Sequence, residues 1–172
     1  VTSEPTAVVA TCGGYTEDGD TDSSCLVLDP INQRWDESRM GNLKLRRTWG
    51  AAATLDHIGV FIVGGWSSKN VRTSEFLAAG TMQWQEGPAL PVDMSYPCAV
   101  EITQTSFLVV HGTDIREFDA ATAGPTSSEG WREAGRWPAL KTSRTQLPGC
   151  AKIGQKVIVA GGREVSSTEV LD

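Results

Sequence analysis

Short apolar runs that end in glycine divide the chain into segments. The first run covers Thr6–Thr11, and each run stops at a Gly-Gly or His-Gly pair. The four pairs are Gly13-Gly14, Gly64-Gly65, His111-Gly112 and Gly161-Gly162. Runs of this length, bounded by glycine, are typical of strands that are buried on both faces. A polar loop, a second apolar segment and then a tryptophan follow three of the pairs. The pattern predicts an all-β chain.

These elements recur about every 50 residues. The second glycines of the four pairs lie 51, 47 and 50 residues apart, and Trp35, Trp84 and Trp131 lie 49 and 47 residues apart. Because two independent markers keep the same phase, we interpret the chain as copies of one unit, as in a propeller array. The predicted units cover 1–45, 46–92, 93–141 and 142–172, and the last is incomplete. We expect all three tryptophans to pack in the core.

The units resemble kelch repeats, the four-stranded blades of a β-propeller. The matching segments are VVATCGG and SCLVLDP, VFIVGG and SEFLAAG, FLVVHG and IREFDA, and VIVAGG and TEVLD. The resemblance implies that residues 1–172 form one partial kelch-type propeller of about 3.5 blades, within a ring of six or seven. The first unit lacks an inner strand and the last lacks an outer strand. We therefore expect a longer polypeptide or other chains to complete the ring, because propellers avoid open edges. A compact four-bladed ring is the alternative.

The four cysteines occupy positions that suit two disulfides. Cys12 ends one strand and Cys25 begins the adjacent antiparallel strand, where facing residues come within bonding range. Cys98 and Cys150 fall at nearly the same point of consecutive inner strands. Three pairings are open, and we favour 12–25 with 98–150. The alternative is four reduced, buried thiols. The arrangement CGG…SCLVLD resembles secreted invertebrate kelch proteins, which implies an extracellular location; a cytoplasmic one is the alternative.

Composition narrows the function classes. The net charge of −6 argues against a nucleic-acid partner, because phosphates attract basic surfaces. No run of 18 apolar residues occurs, so no membrane span is expected. Phosphate-binding, dinucleotide-binding and common hydrolase motifs are missing from this sequence, and we expect no cofactor.

Three loops follow glycine pairs and should share one face of a propeller. They cover Tyr15–Ser24, Trp66–Thr73 and Arg163–Ser166. The candidate contacts for a protein partner in them are Glu17, Asp18, Asp20, Asp22, Trp66, Lys69, Arg72 and Arg163. Asp18, Asp20 and Asp22 also resemble the first half of a calcium loop, although serine replaces the sharp-turn glycine at position 23. The ordinary interpretation is a solvated acidic loop that suits a basic partner.

Three arginines precede inner strands, at Arg46, Arg47 and Arg144. In kelch-like interaction domains, arginines at such positions line the mouth of the propeller and bind acidic peptides. Guanidinium groups suit that role because they bind carboxylates through two parallel hydrogen bonds. A structural salt bridge between blades is the alternative for these residues.

The favoured hypothesis is a non-enzymatic, extracellular module that binds a protein partner. The second hypothesis is an intracellular kelch adaptor that presents substrates to a ubiquitin ligase. The third is a propeller enzyme, sugar-active or metal-dependent, whose active centre is completed by blades outside this sequence.

Overall fold

The structure is a computed structural model that describes residues 9–133 and 137–172. These residues form four antiparallel sheets. The first sheet contains β1 (Ala10–Tyr15), β2 (Thr21–Asp29) and β3 (Arg34–Asp36). The second contains β4 (Ala51–Leu55), β5 (Gly59–Val63), β6 (Ser74–Ala78) and β7 (Gln85–Glu86). The third contains β8 (Cys98–Glu101), β9 (Ser106–His111), β10 (Asp114–Asp119) and β11 (Trp131–Glu133). The fourth contains β12 (Gly149–Ile153), β13 (Lys156–Ala160) and β14 (Thr168–Leu171). The predicted all-β class is confirmed.

Within each sheet the strands pair in chain order, as expected for meanders with short turns. The first sheet has no strand equivalent to β4, and the fourth has none equivalent to β7, within the described residues. The N-terminal part of the strand predicted over Thr6–Thr11 lies outside those residues. The long turn predicted at Ala120–Gly130 contains a single helical turn, α1 (Ala120–Ala123), and a 3₁₀ turn at Ser128–Gly130. No described helix has the length and apolarity needed to cross a membrane.

The core is divided into three apolar clusters, one between each pair of successive sheets. Between the first and second sheets lie Cys25, Val27, Met40, Leu43, Leu77 and Trp84. Between the second and third lie Phe61, Val63, Phe76, Leu90, Met94, Phe107, Val109 and Phe118, with three alanines and Leu55. Between the third and fourth lie Cys98, Ile102, Leu108, Val110, Ile115, Leu140, Val157, Val159 and Leu171. Each sheet therefore packs on its neighbours in chain order.

The alternation of side chains along each strand explains how one sheet contributes to two clusters. In β5, Phe61 and Val63 belong to the cluster shared with the third sheet. Val60 and Ile62 pack instead against the cluster shared with the first sheet. Successive residues of a strand point to opposite faces, so a run that is apolar at every position is needed for a sheet covered on both sides.

The recurring tryptophans pack against the preceding sheet, with one exception. Trp84 is buried in the cluster that includes Cys25 and Met40. The Trp131 ring lies 5.8 Å from that of Phe107, beside residues of the second sheet. Trp35 is 48% exposed, so the prediction that all three lie in the core is wrong for this residue. Its strand, β3, belongs to the first sheet, and no earlier sheet covers it in the described part of the chain.

The glycine pairs turn the chain where neighbouring segments approach closely. Gly64 has a φ of 63°, and a Cβ atom there would collide with the carbonyl oxygen of Met94. The amide of Gly65 donates to that same oxygen at 2.8 Å. The pair thus joins the end of β5 to the segment that precedes β8, which only residues without a side chain allow.

Both predicted disulfides are present. Cys12 and Cys25 face each other across β1 and β2, with Cα atoms 4.1 Å apart. Cys98 and Cys150 join β8 and β12, with Cα atoms 5.8 Å apart. Each of these is the first strand of its sheet in chain order, as β4 is in the second sheet, and we call β4, β8 and β12 the inner strands after the predicted repeat. The first bond lies within one sheet, and the second links the third sheet to the fourth.

Candidate functional site

Four aromatic rings from three successive units meet beside Gly13-Gly14 and Gly64-Gly65. The Tyr15 ring contacts that of Trp49 edge-on, with centroids 5.3 Å apart. Trp49 also stacks on Tyr96 at 4.4 Å and lies 6.5 Å from Trp66. We call Tyr15, Trp49, Trp66 and Tyr96 the aromatic cluster.

The cluster forms because large residues precede the inner strands. Trp49 comes two residues before β4, and Tyr96 comes two residues before β8. Both have a φ of 56°, a conformation that non-glycine residues adopt rarely and that is concentrated at functional sites. The amide of Tyr96 donates to the carbonyl of Trp49 at 3.0 Å, which holds the two stacked residues together. Leu147 has the same kind of conformation before β12 and is 67% exposed.

The other two members come from the loops that follow glycine pairs. Tyr15 ends β1 directly after Gly14, and the residue is 49% exposed. Trp66 follows Gly65, and its backbone exchanges two hydrogen bonds with Thr48, at 2.8 and 3.0 Å. The rings of Trp49, Trp66 and Tyr96 are partly buried against one another. The cluster therefore offers a broad aromatic surface with little rotational freedom left to lose on binding.

Sequence reasoning identified Trp66 as a binding candidate but did not single out Trp49, Tyr15 or Tyr96. The available signal was positional, since a large residue stands before each of three inner strands at Trp49, Tyr96 and Leu147. Their convergence depends on how the sheets stack, and that information is not local.

The acidic loop projects beside the cluster and is closed by its own hydrogen bonds. The Thr16 amide donates to the carbonyl of Asp20 at 2.8 Å, and the Asp20 amide donates back to the Thr16 hydroxyl at 3.1 Å. Glu17, Asp18 and Asp20 are exposed. The loop thus presents three carboxylates to solvent on the chain segment that follows Tyr15.

Asp22 has a structural role in the same loop. Its carboxylate accepts hydrogen bonds from the Ser24 hydroxyl and from the amides of Ser23 and Ser24. These bonds, that of the Ser24 hydroxyl foremost, lower the pKa of Asp22, and the nearby Arg46 acts in the same direction. Arg46 itself is exposed and remains available to a partner.

The calcium interpretation is not supported. Across residues 9–133 and 137–172, no three His, Cys, Asp or Glu side chains are grouped so that they could hold a metal ion. Asp18, Asp20 and Asp22 therefore do not converge on one point. The carboxylate of Asp22 is held against Ser23 and Ser24, which turns it away from the role of an ion ligand.

Arg47 is a buried structural residue, which favours a structural role over the predicted contact with a partner. Its side chain is 2% exposed and pairs with the equally buried Glu75 at 2.9 Å. It also donates to the carbonyls of Gly64 and Thr73 at 2.8 and 3.0 Å. Glu75 completes the network by accepting from the amides of Lys44 and Leu45, at 2.6 and 3.1 Å.

Arg144 forms the same network in the fourth sheet and is likewise not a surface contact. It is fully buried, pairs with Glu169 at 3.3 Å, and donates to the carbonyls of Gly161 and Ser167 at 2.6 and 2.8 Å. Glu169 accepts from the amides of Lys141 and Thr142. Both arginines thus form structural salt bridges, but each pair lies within one unit and not between two blades as the alternative expected. Through these hydrogen bonds, each network joins a glycine pair to the segment that precedes β4 or β12.

The remaining charged candidates are accessible. Lys69, Arg72 and Arg163 are exposed. The guanidinium of Arg72 donates to the carbonyl of Leu90 at 3.0 Å, which fastens its loop to the segment leading to the third sheet. The Arg163 amide donates to the carbonyl of Gln146, beside the exposed Leu147. The structure thus brings Trp66 and the acidic loop to one aromatic site, while Arg163 lies at the fourth sheet.

Comparisons with known proteins do not add to this picture. A scan against models of protein families matched none of them, and a search of curated proteins found no similar sequence.

Proposed function

We propose that this chain is a non-enzymatic binding module of the kelch-type β-propeller kind, and that it captures a protein partner through the aromatic cluster. The observation that carries the proposal is the convergence of four rings from three sheets beside an exposed acidic turn. Tryptophan and tyrosine dominate the energetic centres of protein interfaces, because they bury much apolar area at a small entropic cost.

The propeller interpretation is supported by the order in which the sheets pack. Four antiparallel sheets follow one another, and an apolar cluster separates each from the next. Their inner strands β4, β8 and β12 contact one another in sequence. Propellers repeat sheets of this kind radially, and further sheets would close a ring.

The charges around the cluster favour a basic partner. The chain carries a net charge of −6, and Glu17, Asp18 and Asp20 extend from the turn that begins at Tyr15. A lysine or arginine of the partner gains from these carboxylates, and also from the faces of the indole rings, which attract cations. The two disulfides favour an extracellular location over an intracellular adaptor, because reducing compartments keep such thiols apart.

The experiment compares two tryptophan variants in partner capture. The immobilised protein is incubated with native extracellular fluid, and bound proteins are quantified by mass spectrometry. Trp66→Ala should lower capture of the specific partner by about 30-fold, the loss typical of an interface centre. Trp35→Ala, which removes an exposed indole outside the cluster, should leave capture unchanged.

The acidic loop is tested in the same assay. A Glu17→Gln/Asp18→Asn/Asp20→Asn variant should weaken capture and reduce its sensitivity to salt, since exposed charges act through screened, long-range attraction. Equal capture by the Trp66 and Trp35 variants would exclude the aromatic cluster as the binding site.

A further inference from the structure

The aromatic cluster presents hydrogen-bond donors that the described part of the protein does not use. The indole N–H groups of Trp49 and Trp66 donate to no other described residue. The hydroxyls of Tyr15 and Tyr96 likewise make no hydrogen bond to one. The indole N–H of Trp84 also lacks a partner, but it is buried in the core, whereas those of Trp49 and Trp66 are not buried. The cluster therefore offers a ligand four donor groups together with its ring faces.

The rings form a ridged surface on which a ligand can lie. Trp49 is at the centre, with the Tyr15 ring edge-on at 5.3 Å and the Trp66 ring tilted by 50° at 6.5 Å. Aromatic rings at such centroid distances contact one another, so a ligand lies across them and not between them. The two steps from Tyr15 to Trp66 are together of the same order as one turn of a polyproline II helix, which advances roughly 9 Å.

We propose that the aromatic cluster binds a proline-rich segment in the polyproline II conformation, with a lysine or arginine at the end that lies beside the acidic loop. This inference rests on the proposed function and specifies the chemistry of the partner segment. A polyproline II helix has no internal hydrogen bonds, and proline has no N–H, so such a segment presents carbonyl acceptors without donors. The four donor groups of the cluster complement that pattern. Proline-rich segments bind aromatic-lined surfaces in this way because their preformed conformation loses little entropy.

The charges around the cluster specify one basic end for the segment. Glu17 and Asp18 are exposed and follow Tyr15 by two and three residues, on the turn that projects beside the rings. The loop that begins at Trp66 instead carries the exposed Lys69. A cation at the Tyr15 end of the segment is therefore attracted, whereas a second cation at the Trp66 end would be repelled.

The test uses short proline peptides with one arginine. Fluorescein-labelled RPPPPPPP and PPPPPPPR are titrated with the full chain by fluorescence polarisation, because a polyproline II helix can bind in either chain direction. Saturable binding of at least one is expected. A peptide of equal length with alternating glycine and serine in place of proline should bind at least about tenfold more weakly, since it must lose its chain freedom on binding.

Two results would overturn the proposal. The first is equal binding of the proline and glycine-serine peptides, and the second is no saturable binding of either proline peptide. Replacing the arginine of the tighter peptide by glutamate tests the basic end. This change should weaken binding by about tenfold at low salt and by less at high salt, because exposed charges are screened. Equal affinity of the arginine and glutamate peptides at low salt would refute the basic end.

Three variants of the protein locate the site. Tyr15→Phe keeps the ring and removes one donor, so it should weaken binding by about fivefold, the loss typical of one hydrogen bond. Trp66→Ala should weaken it by more than about tenfold. Trp35→Ala removes an exposed indole outside the cluster and should bind the peptide like the parent. Unchanged binding by both Tyr15→Phe and Trp66→Ala would refute the cluster as the site.

The indole N–H signals provide an independent measurement by nuclear magnetic resonance, after assignment with single tryptophan-to-phenylalanine variants. The peptide should shift the signals of Trp49 and Trp66, because these groups gain acceptors. It should leave the signals of Trp35 and Trp84 in place, because neither belongs to the cluster. Shifts of the Trp49 and Trp66 signals with cellohexaose, and none with either proline peptide, would identify a saccharide-binding surface and overturn the proposal.

The capture assay separates failure of this inference from failure of the proposed function. If neither proline peptide binds but Trp66→Ala still lowers partner capture, the cluster remains the partner site and only the proline-rich class is wrong. If a proline peptide binds through Trp66 but Trp66→Ala leaves partner capture unchanged, the recognition chemistry is supported and the proposed function is contradicted.

Discussion

Replacing Glu75 by glutamine should destabilise the protein more than its small chemical change suggests. The Glu75 carboxylate is 3% exposed, and it accepts hydrogen bonds from the amides of Lys44 and Leu45 and from Arg47. All three partners are donors. A glutamine side chain has one acceptor oxygen and one NH₂ group, so whichever way the amide turns, its NH₂ faces another N–H.

The larger part of the cost comes from the arginine. Burial lowers the pKa of Arg47, and the attraction of Glu75 opposes that shift. Without Glu75 the guanidinium remains buried with no opposite charge. Removing one partner of a buried pair costs about 3–5 kcal/mol. This is a large fraction of the roughly 5–15 kcal/mol that stabilises a typical domain.

The fourth sheet provides a matched control. Glu169 accepts from two amides and from Arg144 in the same arrangement, but its side chain is 17% exposed. After the change Glu169→Gln, water can therefore solvate the new amide in part, whereas Arg144 stays fully buried, and the expected loss is about 2–3 kcal/mol. The two variants change the same pattern of hydrogen bonds. The difference between their losses in free energy of unfolding therefore measures the effect of burying the carboxylate.

The measurement is urea unfolding followed by tryptophan fluorescence, with the free energy of unfolding taken at constant m-value. A Glu75→Gln loss no greater than that of Glu169→Gln would refute the reasoning. The double variant Arg47→Met/Glu75→Leu should lose less than the sum of its single changes, since no unpaired charge then remains buried.

Three further predictions concern stability. Cys98→Ala/Cys150→Ala opens a link across 52 residues and should lower the free energy of unfolding, measured by urea titration, by about 4 kcal/mol in the chain-entropy model. Dithiothreitol should lower the free energy of unfolding of the parent by more, because it also reduces the Cys12–Cys25 disulfide. Gly64→Ala should lower the free energy of unfolding by more than about 2 kcal/mol, because it combines a positive φ with a collision against Met94. Gly19→Ala, where the added Cβ meets nothing within 4 Å, should lower it by about 1 kcal/mol. Equal shifts of the two variants in thermal unfolding would contradict this prediction. Backbone hydrogen bonds lower the pKa of Glu169 below its ordinary value of 4.5. The stabilisation that Glu169 provides is therefore complete above that pH, and it is lost as the pH falls through the lower pKa of the folded state. Glu169→Gln should show a shallower decline in stability below about pH 4.5 in acid titrations followed by circular dichroism.

Local patterns were sufficient to predict most of the fold. The apolar runs and glycine pairs predicted the strands, and the 50-residue spacing predicted that one antiparallel unit recurs. The cysteine positions predicted both disulfides, because Cys12 and Cys25 face each other on adjacent strands and Cys98 and Cys150 hold equivalent positions in successive units. Trp35 shows the limit of this reasoning, since the same residue type at the same position of the unit is buried only where an earlier sheet covers it.

The candidate site was less predictable for a different reason. Arg47 and Arg144 look identical to surface arginines in the sequence, and their burial depends on Glu75 and Glu169, which lie 28 and 25 residues further along the chain. A carboxylate at that interval is a weak signal by itself. The aromatic cluster, likewise, joins residues from three units, and no single unit contains it.

The separation of the core into three clusters has a mechanical consequence. Among the described residues, no sheet shares a cluster with a sheet other than its immediate neighbours. Each sheet is therefore stabilised only by the sheets next to it, as in a quasi-one-dimensional stack. The third and fourth sheets are joined covalently, whereas the first is held to the second by packing and a few backbone bonds. Opening should therefore start between the first two sheets, and the aromatic rings that bridge them would report it before the rest of the molecule loosens.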